Sequence, residues 1–429
     1  MKILNTNDKN FQNEFNEILT RGKMDIENVE GIVKNIINEV KEEGNGALFR
    51  HIAKFDKWEP KKDSDLEIDK SEMKKAYENL DEDLKKALHL AFDRIKAYHE
   101  KQLPKSWLTF EDNGTVLGQK VTPVEKAGVY VPGGKAFYPS SLLMNVIPAI
   151  VAGVDEIVVT TPVIENKPNE LLLSALYICG MPKTYKVGGA SAIAAMAYGT
   201  ESIPKVDVIT GPGNIFVATA KKLVYGEVNI DMIAGPSEIG IIADKSAKPN
   251  YIAIDLLSQA EHDEMASSIL ITDSKELALK TKDEVYKFLS ELEREEIARK
   301  SIEQRGAIIV TESIDEAIDL MNKIAPEHLE IVTSNPFDLL PKIKHAGAIF
   351  LGENTPEPIG DYIAGPNHTL PTGGTARFYS PLNVEVFMKK SSIISFSKQA
   401  IEEMGKECAI LAHTEGLGAH EKSVLERLK

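Results

Sequence analysis

The sequence predicts an α/β protein of two similar, incomplete Rossmann-like parallel-sheet domains, with small, mostly helical extensions at the N- and C-terminal ends. Three observations lead there. The chain has 429 residues, beyond the size at which one hydrophobic core stops growing, so two or more domains are expected. Apolar β-rich runs alternate with helix-length segments, the pattern of parallel βαβ units. The alternation also occurs twice, once from Ala127 and again after Ser237, so the two arrays read as two similar domains.

Taken in order, residues 25 to 105 are charged and helical in period, as in "IENVEGIVKNIINEVKEEG" and "DEDLKKALHLAFDRIKAYHEKQ". From Ala127, "AGVYV", "EIVVTTP", "TYKVGG" and "VDVITGPGN" read as strands with their following turns. "ELLLSALYICG", "SAIAAMAYG" and "IFVATAKKLVYG" read as the helices between them. After Ser237 the strands are "SSILIT", "AIIVT", "LEIVT" and "AIFLG", with amphipathic helices such as "SIDEAIDLMNKIA" in the gaps. Beyond about Ser380 the pattern is mostly helical, in a tail with too little apolar content for its own core.

Composition removes whole classes of function. Hydrophobic content of 43% suffices for buried cores, while a formal net charge of −15 argues against a nucleic-acid partner, which needs clustered Lys and Arg. No apolar run approaches the roughly 18 to 20 residues that span a bilayer, and "MKILNTNDKNFQNEF" lacks an apolar signal core, so a soluble cytoplasmic protein is expected. Cys179 and Cys408 are the only cysteines, too few for a disulfide framework or a Cys-rich zinc site. Any metal must therefore be held by His, Asp, Glu or Gln.

A dinucleotide enzyme normally carries G-x-G-x-x-G between strand and helix, and that fingerprint is absent. The nearest stretch, "GPGNIF" from Gly211, has Phe216 at its third glycine position but still offers backbone amides at a strand-to-helix junction. "VPGGKAFYPS" and "VGGASA" are two more glycine-rich strand ends. Each alone reads as a tight turn; three in one array suggest a ligand crossing the carboxyl edge of the sheet.

The polar stretch "LLSQAEHDEMASSILIT" sets Gln259 and His262 three residues apart, on one helix face within reach of a common ion. Taken alone, a solvated or hydrogen-bonded helix end is the plainer reading. Further ligands are available in "IGDYIAGPNHTLPTGG", where Asp361 and His368 lie in a segment too irregular for a core strand. In "APEHLEI", Pro326 stops a helix and "LEIVT" starts a strand, which puts Glu327 and His328 on the corner between them. An adjacent acid and imidazole offer two proton acceptors of different pKa, although an isolated Glu-His dipeptide is more often a polar loop. His51, His89 and His99 lie on charged helical segments and are expected at the solvated surface; His368 and His413 are expected in structural hydrogen bonds.

Together, "YVPGGKAFYPSSLLMNVIPAIVAGV", "GPGNIFVATAKKLVYGEVNIDMIAGPSE", "SQAEHD", "APEHLE" and "NTPEPIGDYIAGPNHTLPTGGTARFYSPL" resemble the histidinol dehydrogenases, from about residue 25 to the C-terminal "HTEGLGAHEKSV". The resemblance implies oxidation of L-histidinol through L-histidinaldehyde to L-histidine by two NAD-dependent hydride transfers, the last step of histidine biosynthesis. It implies one zinc per subunit, held by Gln259, His262 and Asp361 and by His420 of the partner subunit in a homodimer with shared active sites. Glu327 would activate water at the aldehyde stage and His328 would be the general base. Ser237, Gln259, His262, His328, Asp361, Glu415 and His420 would contact substrate, Glu415 again in trans from the tail, where Gly416 and Gly418 favour a loop. Tyr130, Ser191 and Asn214 would contact NAD, although Ser191 in "GGASA" stands where the family commonly has Gln.

On this reading residues 1–25 are an N-terminal extension, 130–237 the NAD-binding domain, and 26–129 with 238–380 the metal and substrate domain. Residues 381–429 form the extension that reaches the partner subunit. The alternative is another metal-dependent NAD alcohol or aldehyde dehydrogenase acting on a related amino alcohol. Other classes fit less well. A thiol mechanism needs an activated cysteine, a zinc hydrolase would be favoured by H-E-x-x-H, and a structural zinc module expects Cys-rich ligands.

Overall fold

The computed structural model of the protein describes residues 1–20, 26–133 and 138–429. Each of the two arrays forms its own sheet with the same connectivity. In the first, strands Lys126–Tyr130, Glu156–Thr160, Lys183–Tyr185, Val208–Thr210 and Asn229–Ile230 stand in the spatial order third, second, first, fourth, fifth. In the second, Glu238–Ala243, Ser267–Thr272, Ala307–Val310, His328–Val332 and Ala348–Leu351 repeat that order. This is the doubly wound, parallel arrangement of dinucleotide-binding folds, and the strand order reverses between the adjacent first and fourth strands of each sheet. Because helices cover both faces, strands such as Glu238–Ala243 and Ser267–Thr272 are buried at every position.

Each sheet gains a sixth strand from far away in sequence, outside its third strand. Lys2–Asn5 pairs parallel with Ala307–Val310, and Glu67–Asp69 pairs antiparallel with Lys183–Tyr185. These pairings regroup the chain. Sequence reading placed residues 26–129 with 238–380, but helices Glu27–Glu43 and Asn45–Phe55 bury Val33, Ile37, Leu48 and Ile52 against Ile193 and Met196 of the first sheet's helices. Helices Lys70–Asn79 and Glu82–Glu100 bury Met73 and Ile95 against Leu142 and Leu176 on the same sheet. An amphipathic period says that a face is buried without saying against what, so composition could not assign the partner. The N-terminal extension likewise contributes a strand to the second sheet.

The tail differs in part from its mostly helical expectation. Strand Met388–Ser395 pairs antiparallel with Val116–Pro123, which also pairs with the exposed strand Trp107–Phe110. Helices Lys398–Thr414 and Gly418–Leu425 then pack on each other. Among the described residues, no helix is long and apolar enough to cross a membrane.

Two histidines expected at the surface are buried. His99 points Nδ1 at the Ile95 carbonyl and Nε2 toward Asn367, while His51 lies between Ser191 and Glu39. Both sit on the packed faces of helices whose charges misled the reading. His89 is exposed, as expected, and pairs with the Tyr77 hydroxyl.

The turn at Gly211 is held by a buried ion pair. Lys221 pairs with Asp231; its Nζ donates to the Gly211 carbonyl at 2.9 Å, and Asp231 Oδ2 accepts the Gly211 N–H at 2.9 Å. Gly211 has φ +119°, and a Cβ there would lie 2.0 Å from the Tyr130 carbonyl oxygen, so only glycine fits. Removing one member of a buried pair strands the other charge. Lys221→Met should therefore destabilise the protein by about 3 to 5 kcal/mol, measured by urea unfolding; a loss under about 1 kcal/mol would mean the pair does not hold the turn.

Candidate active site

The candidate site lies at the amino ends of the second sheet's strands, where Glu238 and His328 begin the adjacent first and fourth strands. Helix Ile314–Ile324 ends in a left-handed Ala325 at φ +52°, Pro326 prevents its continuation, and Glu327 and His328 enter the strand with their side chains buried. A Cβ on Gly347 would lie 2.5 Å from the Glu327 carbonyl oxygen, so the neighbouring strand also requires glycine to approach this corner.

His328 is surrounded by acids. Nδ1 lies 3.1 Å from the Glu238 carbonyl oxygen, 3.7 Å from Glu327 Oε2 and 3.8 Å from Glu357 Oε1. Nδ1 thus faces the Glu238 carbonyl, which only accepts, and the side-chain amide nitrogen of Gln259 at 3.0 Å. Nε2 is buried without a close partner, since Asp361 Oδ1 stands 3.5 Å away, long for a hydrogen bond. Burial opposes a charge on His328, but Glu357, Glu327 and Asp361 together outweigh it and raise its pKa well above the ordinary imidazole value.

The same burial acts on the acids. Desolvation pushes Glu327 up to about 8 and Glu238 and Glu357 each to about 7, against the lowering pull of His328. Glu327 Oε2 accepts the Glu238 N–H at 2.9 Å, and Glu238 Oε2 accepts the Gly373 N–H at 3.1 Å. These bonds tie the corner to the irregular segment after Asp361.

Gln259 closes helix Pro249–Ala260 and is fully buried; His262 follows in the turn. With its amide oriented to satisfy both ends, Gln259 turns its oxygen toward His262 Nδ1 at 3.2 Å, and its nitrogen donates to Glu357 Oε1 at 3.2 Å. His262, Glu357 and Asp361 offer ligand atoms that all lie within 4.8 Å of one another. Desolvation holds His262 below the ordinary imidazole value, which leaves a neutral nitrogen. Asp361 stays below the ordinary carboxylate value because His328, His368 and His262 outweigh its burial. A neutral imidazole, an amide oxygen and an ionised carboxylate form a donor set that fits a divalent cation.

Glu357 was not singled out from the sequence. It begins the short helix Glu357–Tyr362, four residues before Asp361, so the two side chains share a helix face. That spacing after Pro356 was the available signal. His368, expected to be structural, points Nδ1 at the Asp361 carbonyl at 3.0 Å and Nε2 at the Ser141 hydroxyl at 3.4 Å. Ser141 lies on helix Pro139–Ala152, which follows the first strand of the first sheet, so that sheet's carboxyl edge borders the cluster.

The remaining expected residues separate into two groups. Ser237 is half-buried and directly precedes Glu238. Tyr130, Ser191 and Asn214 lie at the carboxyl edge of the first sheet. The Tyr130 hydroxyl accepts the Gly189 N–H at 3.2 Å, Ser191 bonds His51 at 2.8 Å, and Asn214 Oδ1 caps helix Ile215–Val224. The "VPGGKAFYPS" turn lies partly outside the described residues, at 134–137. Glu415 and His420 are exposed on the C-terminal helical hairpin, and one chain alone does not bring them to the cluster. His420 stands in the first turn of a helix rather than on a loop, because only Gly416, at φ +76°, breaks the chain there. His413 pairs with Glu421 in the same hairpin. Cys179 is buried, its thiol pushed up to about 12 by desolvation, so it is not an activated nucleophile.

Two sheets of dinucleotide-domain connectivity, with acid–base groups and a cation-capable cluster at their junction, define a two-domain α/β oxidoreductase. The sequence model of the family described as histidinol dehydrogenase matches residues 19–428. Histidinol dehydrogenase of Sulfurimonas denitrificans is 68% identical over 428 residues, covering 100% of both chains, and that of Wolinella succinogenes is 65% identical over 428 residues, covering 100% of this chain and 99% of the relative. The crystal structure of histidinol dehydrogenase from Elizabethkingia anophelis superposes with a TM-score of 0.94 at 35% identity, covering 100% of this chain and 98% of that one. The chain belongs to the histidinol dehydrogenase family.

Glu357 touches the cluster from its buried side, and its loss should be felt by a bound cation. Glu357→Gln should weaken divalent-metal affinity roughly 10- to 100-fold in competition with a chromogenic chelator, and an affinity within about twofold of wild type would remove Glu357 from the metal site.

Proposed function

We propose that the protein is a zinc- and NAD-dependent histidinol dehydrogenase that oxidises L-histidinol through L-histidinaldehyde to L-histidine. The observation that carries this reading is the buried Nε2 of His328, with no hydrogen-bond partner among the described residues, beside the His262, Glu357 and Asp361 cluster. When bound, zinc would hold the imidazole nitrogen and amino group of the substrate, and NAD would accept hydride from the alcohol carbon. Gln259, His262 and Asp361 would hold the metal together with His420 of the partner subunit, and Ser237 and the partner subunit's Glu415 would contact substrate. Tyr130, Ser191 and Asn214, at the carboxyl edge of the first sheet, would meet NAD.

In its uncharged form His328 takes the substrate hydroxyl proton at Nε2, with the Glu238 carbonyl facing Nδ1, and the surrounding acids favour the imidazolium that results. Glu327 has the proton affinity, raised by burial, to draw a proton from water at the aldehyde stage. That water adds to the aldehyde carbon and gives the hydrate from which the second hydride leaves. NADH formation from L-histidinol, with and without added zinc, is the direct test of the whole reading.

A homodimer with shared sites is supported by two features. A cavity of about 840 Å³ reaches His328 and Asp361, far larger than an amino alcohol fills, so a further protein segment can enter it. The tail also exposes Ile394, Ile410 and Leu411, each more than 60% accessible, a patch that calls for a partner.

Glu327 serves only the step that consumes water, whereas His328 serves both. Glu327→Gln should therefore slow oxidation of histidinaldehyde about 100- to 10,000-fold while sparing the first oxidation; equal losses in both would remove the water-activating role. The shared site makes a second prediction. A heterodimer of Glu327→Gln and His420→Ala chains holds one site with both defects and one with neither, so co-expressed mutants should recover roughly a quarter to a half of wild-type activity. Purified mixed dimers as inactive as either parent would place His420 in its own chain's site.

A further inference from the structure

The end of the first sheet's second strand carries polar groups that the mechanism leaves unused. In dinucleotide-binding sheets of this strand order, an acid at that position accepts a hydrogen bond from the ribose 2′-hydroxyl. Here the second strand, Glu156–Thr160, runs into "TPVIENK", whose acid, Glu165, is exposed and paired with Lys167. A different segment supplies the acid instead. The Glu165 N–H donates to the Asp56 carbonyl at 2.7 Å, which pins Asp56, at the end of helix Asn45–Phe55, to this strand end.

Asp56 is 6% exposed, and its carboxylate takes no hydrogen bond from any described residue, so burial alone pushes it up to about 6. Its charge is felt by the Tyr130 hydroxyl, which accepts the Gly189 N–H of the glycine turn. Two residues on, the buried indole N–H of Trp58 also lacks a partner among the described residues. Lys186, whose ammonium lies 4.7 Å over the Trp58 ring, is already committed to Asn166 Oδ1 at 2.9 Å. Three of the four described non-glycine residues with positive φ, Lys57, Glu165 and Asn166, also cluster here. Such strain persists where the surroundings over-determine it. Among the described residues, then, a carboxylate and a buried indole N–H stand without hydrogen-bond partners beside the turn where the proposed cofactor residues gather.

We propose that Asp56 accepts the vicinal hydroxyls of the cofactor's adenosine ribose and so selects a dinucleotide without a 2′-phosphate. The inference rests on the NAD-dependent reading above. Two hydroxyl donors satisfy a carboxylate that no described residue hydrogen-bonds. A 2′-phosphate removes one donor and places like charges in contact, which rejects the phosphorylated cofactor.

Fluorescence titration of the full-length protein with NADH and with NADPH tests this without turnover. Wild type should bind NADH at least about tenfold more tightly than NADPH, and Asp56→Asn should weaken NADH roughly 10- to 100-fold and bring the two affinities together. L-Histidinol binding and the thermal midpoint serve as controls for folding, and Asp56→Ser provides a second variant should the amide disturb the helix end. Wild-type selectivity retained in both variants would overturn the role of Asp56 and leave the NAD reading standing. A wild-type protein that binds neither dinucleotide and forms no NADH from L-histidinol would overturn both.

Discussion

Three buried acids and the half-buried Asp361 around one imidazole are the constraint on which the rest of the site depends. Glu238, Glu327, Glu357 and Asp361 cannot all ionise in a space with so little water, and His328 is the positive partner that lets part of the cluster hold charge. Keeping such a cluster dry needs a rigid wall, and two parallel sheets with helices on both faces provide it. The close approaches that build the wall fall to glycine: a Cβ at Gly347 would strike the Glu327 carbonyl, and one at Gly360 would meet the Phe350 ring at 2.5 Å. The half-buried Asp255 and the buried Glu330 extend the acid network behind it, with Glu330 Oε1 accepting the Glu357 N–H at 2.8 Å and so setting the start of the helix that carries Asp361.

The two sheets share a connectivity but offer opposite edges to function. Glycine-rich turns at the carboxyl edge of the first sheet follow the usual rule for ligands in doubly wound folds. The second sheet instead gathers its chemistry at the amino ends of its strands, where a helix C-terminus, a proline and a buried corner meet. The contact of Ser141 with His368 joins the two edges. That juxtaposition suits a reaction in which the proposed cofactor arrives from one domain and the acid–base groups from the other. The segment from Glu27 to Glu100 takes part as well, because its packing on the first sheet carries Asp56 and His51 to the turns.

The C-terminal hairpin stands apart from this arrangement. Its strand adds to a small antiparallel sheet and its helices pack on each other, which leaves Glu415 and His420 in solvent within one chain. Exposed apolar residues on the same hairpin are costly unless covered, and the cavity at Asp361 has room for more than an amino alcohol; the proposed dimer would answer to both with one contact.

By itself the sequence determined the two βα arrays, the corner at Pro326 and the placing of Gln259 and His262 on one helix end, because hydrophobic period and helix-stop chemistry act locally. The motif resemblance named Gln259, His262, Glu327, His328 and Asp361 for the same reason, since they lie in contiguous stretches. It did not determine which sheet the helices from Glu27 to Glu100 would cover, that Lys2–Asn5 would join the second sheet, or that His51 and His99 would be buried. Those outcomes depend on partners tens to hundreds of residues away, to which a local pattern is blind. Glu357 and Asp56 were missed on the same ground: an acid on a short helix or at a helix end reads as solvated until tertiary packing removes the water around it.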